Sequence, residues 1–149
     1  FRSVFTGDML RRAQELGMSV SEVVTLASII EKEAVFPSEM PAISSVFHNR
    51  LRLGMRLQSD PTAVYGIDGF RRRIRSQDLK RDTPYNTYRY GGLPPGPICN
   101  PGINALHAAL WPADTKYLFF VSKGNGYHHF SRTLSEHREA IRGKTASRR

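Results

Sequence analysis

Cysteine is nearly absent from these 149 residues: Cys99 stands alone. One thiol forms no internal disulfide and builds no cysteine-rich metal site. Long apolar runs are missing as well. None approaches the roughly 18–20 residues of a membrane-spanning helix, and no signal-peptide pattern is visible. The first residue is Phe1 and the chain opens inside a helix-shaped run, so a piece of a longer protein is expected, with any anchor or export signal upstream. Lysine is scarce, five of the 22 cationic residues, and none of Lys32, Lys80, Lys116, Lys123 and Lys144 has a phosphate-binding loop beside it. Pyridoxal-phosphate chemistry is therefore unsupported, Gly124-Asn125-Gly126 being turn chemistry rather than a phosphate loop. Acids number only 13, which leaves a net charge of +9 and an affinity for polyanions.

What is present describes a folded chain, with 40% hydrophobic and 10% aromatic residues in a length suited to one domain. Val4, Phe5, Met9, Ala13 and Leu16 recur at helical spacing over 3–16, and Gly17 stops the run. "SVSE" at 19–22 is a capping box for a helix over 21–35, which Pro37 ends. Ser38 is a candidate cap for a helix over 39–53 with Gly54 behind it. From 55 to 102, Gly and Pro break the chain into loop, with short helices expected at 61–65 and 77–81. So much irregular chain in a compact domain suggests a site. Asn100 and Pro101 are expected to start a helix over 103–110. "YLFFVS" and "YHHFSR" around "KGNG" form a hairpin, and Thr133 to Glu136 opens a last helix to about Ile141. The expected fold class is α+β: helices packed with a hairpin sheet and a long loop region.

"LASIIEKEA" at 26–34 places two carboxylates at the end of an apolar helix. At about 100° per residue, Glu31 and Glu33 fall on opposite shoulders of the stripe Val23, Ala27, Ile30 and Ala34, and Lys32 points away. Both border apolar surface, so geometry alone barely separates them. Glu33 has the larger neighbours, Leu26 and Ile29, and occupies the last turn, where the helix dipole disfavours negative charge. Both effects favour the protonated acid that cleavage of a glycosidic bond requires. The alternative is that both glutamates are boundary residues paired to arginines. "RRRIR" at 71–75, with no partner acid run, reads as a solvated loop or as a contact for nucleic acid, anionic lipid or an anionic cell-wall polymer. His128 and His129, adjacent in a strand, face opposite sides and make poor joint metal ligands. His107 and His137 stand alone, Ser28 lacks a nucleophile context, and Tyr65 reads as core.

"LASIIEKEA", "SSVFHNRLRLGMRLQSDPTAVYG", "TPYNTYRYGGLPPGPICNPG" and "YLFFVSKGNGYHHFS" together resemble the catalytic domain of the YceG-like endolytic murein transglycosylases, in order from about residue 21 to 137. The resemblance implies one catalytic domain over 1–149 and a catalytic Glu33, and it makes Gln58, Asp60, Thr62, Tyr85, Asn86 and Tyr88 plausible substrate-groove residues. "GGLPPGP" would supply a stiff wall for a glycan strand. Asp60 reads equally well as a helix cap before Pro61. The resemblance further implies peptidoglycan glycan strands as substrate, no cofactor, no metal and no nucleic acid. It implies a peptidoglycan synthase as partner, and a single-pass anchor in a bacterial inner membrane with this domain on the periplasmic side. Family members commonly carry Thr after the catalytic glutamate, whereas Ala34 stands there in this chain; if that hydroxyl orients the acid, water or a loop group is expected to replace it. A non-catalytic peptidoglycan-binding domain and a nucleic-acid-binding module are the rival readings.

Overall fold

A computed structural model describes the chain over residues 5–147, with its side chains over residues 5–143. The α+β class holds: six α-helices and one antiparallel hairpin. Helix α1, Gly7–Glu15, begins where the Thr6 hydroxyl accepts from the Met9 N–H at 3.2 Å, and Gly17, at φ +69°, turns the chain away. The expected start of this helix at residue 3 lies outside the described residues.

Helix α2, Val20–Glu33, is capped reciprocally by Ser19 and Glu22, as "SVSE" implied. It is the centre of the domain. Its residues Val23 to Ile30 are all buried, because α5, Ile103–Leu110, packs along one side, with α1 and α3, Met40–Arg52, on the others. Ala105, Ala108 and Ala109 let α5 approach closely, while Leu26, Ile29, Ile30, Phe47 and Leu106 fill the core. Each such side chain contributes roughly 1.5–3 kcal/mol by leaving water.

One expected helix end is shifted and two expected caps are replaced. Helix α2 ends at Glu33, with Ala34 already extended, rather than at residue 35. Ser38 caps nothing: Pro37–Glu39 is a 3-10 turn leading straight into α3. At α5 the cap position is Gly102, not Asn100, and the Gly102 N–H donates to Glu31 Oε1 at 2.7 Å. A carboxylate from a neighbouring helix thus satisfies the backbone that Asn100 was expected to serve, and it favours the positive end of α5.

Helix α3 buries a polar stripe as well as an apolar one. Asn49 Nδ2 donates to the Thr115 and Tyr117 carbonyls, and Arg50 Nε to the Leu118 carbonyl at 2.7 Å. These side chains satisfy the irregular backbone that leads into the hairpin. Strands β1, Phe119–Ser122, and β2, His128–Ser131, pair in register, Phe120 opposite Phe130 and Ser122 opposite His128. The last helix, α6, runs Leu134–Ser147, six residues beyond the expected end. Between α3 and α5 only a turn of helix, α4 at Asp60–Ala63, and a 3-10 turn at Asp78–Lys80 interrupt the loop. No described helix is long and apolar enough to cross a membrane.

Candidate active site

Glu33 is the last residue of α2, and its half-buried carboxylate receives one hydrogen bond, from Ser59 Oγ at 2.9 Å. Two threonines hold Ser59 in place. The Thr62 hydroxyl gives its single hydrogen to the Ser59 carbonyl at 2.6 Å, so Thr87 Oγ1 must be the donor in the 2.8 Å contact between the two threonines. Thr87 Oγ1 in turn accepts from the Ser59 N–H at 2.9 Å, and Thr62 Oγ1 from the Thr87 N–H at 3.1 Å. Every donor in this buried knot has a partner. Just before it, Gln58 adopts φ +51°, the one non-glycine residue with positive φ among those described. Left-handed backbone at a side chain of this kind costs about 1–3 kcal/mol and collects at functional sites.

Glu33 opens onto a cavity of about 510 Å³. One wall is loop: Leu57, Gln58, Asp60 and Tyr88, the Tyr88 hydroxyl donating to Asp60 Oδ1. The other is hairpin: Phe119 to Ser122 and His128, with Leu134 and His137 from the start of α6. Arg50 reaches in from α3, only 7% exposed, with its guanidinium 5.1 Å from the Phe119 ring centre. Among the described residues it pairs with no carboxylate; its acceptors are the carbonyls of Leu118, Arg56 and Leu57 and the Gln58 amide oxygen.

Burial pushes the Glu33 carboxyl up to about 7, the Ser59 hydrogen bond opposing and the Asp60 charge reinforcing the rise. At neutral pH the group is divided between acid and carboxylate. Burial, the Asp60 hydrogen bond and the charges of Asp60 and Glu33 raise Tyr88, which stays a neutral donor. Burial, with the positive charge of Arg50, lowers His137. Its ring is stacked on Phe119 at 5.0 Å, and its Nδ1 is buried without a hydrogen-bond partner among the described residues.

Of the residues nominated from sequence, Glu33, Gln58, Asp60 and Tyr88 meet in this cavity. Thr62 and Asn86 do not: both are 0% exposed. Thr62 belongs to the knot behind Ser59. Asn86 Nδ2 donates to the Leu79 and Arg81 carbonyls, and its Oδ1 accepts from the Tyr88 N–H, so it shapes the loop from within. Tyr85 turns to the core and packs at a tilt against Tyr65, ring centres 4.5 Å apart; Tyr65 itself is 37% exposed rather than core. Asp60 occupies the first turn of α4 and caps nothing. The "GGLPPGP" segment serves a different place, Gly92, Leu93 and Pro94 lining a second cavity of about 630 Å³ with Leu16, Met18 and Leu51. Within "RRRIR", Arg72 is not free. It grips Asp78 through both terminal nitrogens, at 2.6 and 2.7 Å, and Asp78 is held down to about 2 by that pairing.

Sequence reasoning missed Arg50, Ser59 and His128. Arg50 had a signal, since it lies three and four residues beyond Phe47 and Val46 on the buried face of α3. For His128 and His129, strand alternation puts one of the two inward, and it is His128. The hydroxyl that Ala34 lacks comes from Ser59, 26 residues beyond Glu33 in sequence.

The model of the YceG-like family matches residues 1–143. The chain is 46% identical over 123 residues to a protein of Bacillus subtilis (strain 168) named endolytic murein transglycosylase, covering 83% of this chain and 34% of that one. A protein of the same name from Streptococcus pneumoniae (serotype 2, strain D39) is 30% identical over 133 residues, covering 80% of this chain and 24% of that one. A crystal structure of a yceG-like protein from Listeria monocytogenes superposes with a TM-score of 0.81 at 42% identity, over 89% of this chain and 43% of that one. The chain thus spans about a third and a quarter of the length of the two named relatives. The match over nearly all of its sequence, together with the shared fold, places it plainly: the chain belongs to the YceG-like family.

Proposed function

We propose that this chain is the catalytic part of an endolytic peptidoglycan transglycosylase, cleaving the β-1,4 bond between N-acetylmuramic acid and N-acetylglucosamine without water. The observation that carries this reading is the Glu33 carboxyl, held at about 7 on the edge of an open cavity. As the acid it protonates the leaving glycosidic oxygen. The muramyl 6-hydroxyl, tethered to the reacting ring, then closes on the anomeric carbon to give a 1,6-anhydro end. The ionised Glu33 is one group able to take the hydroxyl proton. The substrate's acetamido oxygen stabilises the cationic centre. Gln58 and the Asp60–Tyr88 pair, on the same wall, offer hydrogen bonds to sugar hydroxyls. The names of the two relatives support the same substrate class.

In the cell the reaction would end newly made glycan strands beside a peptidoglycan synthase. The domain would lie on the periplasmic side of the inner membrane, tethered by a span elsewhere in the protein. The test is a digest of purified peptidoglycan read by mass spectrometry. Glu33→Gln, which keeps volume but carries no exchangeable acid proton, should lose at least ~10³-fold of cleavage while remaining folded. Glu31→Gln should keep activity and lose about 0.5–1 kcal/mol of stability, because the amide oxygen still accepts from the Gly102 N–H but the negative charge at the positive end of α5 is gone. A binding module without activity would instead retain sugar affinity and show no cleavage in either form.

A further inference from the structure

The hairpin wall carries a second proton-handling unit. Glu39, from the 3-10 turn before α3, receives both the His128 backbone N–H, at 3.1 Å, and the ring Nδ1, at 2.8 Å. The two side chains are 9% and 14% exposed. A carboxylate oxygen at Nδ1 requires the hydrogen there, so in the neutral ring Nε2 is a bare acceptor. Among the described residues nothing hydrogen-bonds Nε2, and the ring lines the cavity that Glu33 opens onto. Phe120 stands edge-on to the imidazole at 5.3 Å, fixing its plane. Doubly anchored by one carboxylate and presenting one lone pair to the cavity, His128 is built as an acceptor of a hydroxyl proton.

We propose that His128, oriented by Glu39, is a second catalytic residue, whose Nε2 takes the proton of the hydroxyl that attacks the anomeric carbon. This rests on the transglycosylase reading and divides its labour. Glu33 gives its proton to the glycosidic oxygen as the bond to the anomeric carbon breaks, the electron pair leaving with that oxygen. The muramyl 6-hydroxyl oxygen forms the new bond to the anomeric carbon, and its proton passes to Nε2. The Glu39 carboxylate stabilises the imidazolium, and solvent then removes that proton and returns one to Glu33, restoring both groups.

Kinetics on soluble glycan strands test the proposal. His128→Ala should lower kcat by roughly 100-fold or more with little change in KM, and added imidazole should restore part of the loss. His128→Asn, whose amide still donates to Glu39, guards against a folding defect and should lose as much. Glu39→Gln, which keeps an acceptor for the backbone but not the charge, should lose about tenfold. His129→Ala, on the exposed side of the same strand, should behave as wild type. A folded His128 variant with wild-type kcat, or with a loss that imidazole leaves untouched, overturns the proposal. Cleavage that needs Glu33 but not His128 sinks this inference alone, whereas cleavage indifferent to Glu33 sinks the transglycosylase reading beneath it.

Discussion

The two walls of the cavity are held by different forces. Behind Glu33 the loop wall is a knot of buried hydroxyls, Ser59, Thr62 and Thr87, in which each hydrogen has one assigned acceptor. Across the cavity the hairpin wall is held by rings and one carboxylate. Phe36 stacks on Tyr127 at 4.4 Å, Phe120 meets Phe47 and His128 edge-on, and Glu39 clamps His128. A hydrogen-bond knot fixes direction sharply and fails when one member is lost, because the remaining buried donors have nowhere to turn. Aromatic packing is less sharply directional than a hydrogen bond and tolerates small shifts, yet it leaves no room for added atoms. The acid that must be aimed sits on the first wall, and the wall across the cavity from it is built the second way.

Removing a group should therefore break the loop wall, and adding one should break the hairpin wall. Thr87→Val strips acceptor and donor from the Ser59 N–H and Thr62 at nearly constant volume. It should cost about 2 kcal/mol, lowering the unfolding midpoint by roughly 5 °C, with a clear loss of activity as Ser59 leaves Glu33. On the other wall, a Cβ at Gly126 would lie 2.6 Å from Phe36, at a φ of +91° that side chains avoid. Gly126→Ala should displace the hairpin tip at a cost of about 1–3 kcal/mol. Its defect should be partly relieved by trimming Phe36 to Leu, whereas no trimming rescues Thr87→Val. Calorimetry on the four proteins checks the contrast.

A smaller and sharper effect concerns pH. The Ser59 hydrogen bond lowers Glu33 against the larger upward push of burial, so Ser59→Ala should raise it above about 7. Activity needs the protonated acid, and the alkaline limb of the pH–rate profile should move to higher pH by up to one unit or so. The sign for stability follows from the same group. Folded Glu33 holds its proton more tightly than the unfolded chain does, so its contribution is full below about 4.5 and is lost as pH rises through about 7. The loss is on the order of 3 kcal/mol, and Glu33→Gln should abolish this part of the pH dependence. Unfolding midpoints between pH 5 and 9 measure it.

Local signals made the frame legible. "SVSE" capped α2 as read, the 103–110 helix kept its bounds, and the glycine-flanked repeat of aromatics paired as a hairpin. Long-range substitutions for local chemistry were not legible. Glu31 replaced Asn100 as the partner of the α5 backbone, and Ser59 supplied the hydroxyl missing at Ala34. Asn86 and Thr62 look like sugar binders because amides and hydroxyls do that work on surfaces. A loop of nearly fifty residues also needs such groups inside, to satisfy its own backbone. Composition cannot tell these uses apart, whereas burial can.

The central claim is that Glu33 acts without a water nucleophile, although Asp60 shares its cavity. Digestion of purified peptidoglycan in heavy-oxygen water, followed by mass spectrometry of the new ends, tests it directly. Inverting hydrolysis would place a second carboxylate about 6.5–9.5 Å from the first to activate water, and retaining hydrolysis would place a nucleophile at about 5 Å. The expected products are 1,6-anhydro ends free of label, with no new reducing ends. Labelled reducing ends as the main product would contradict the account and assign Asp60 as the second catalytic carboxylate of a hydrolase.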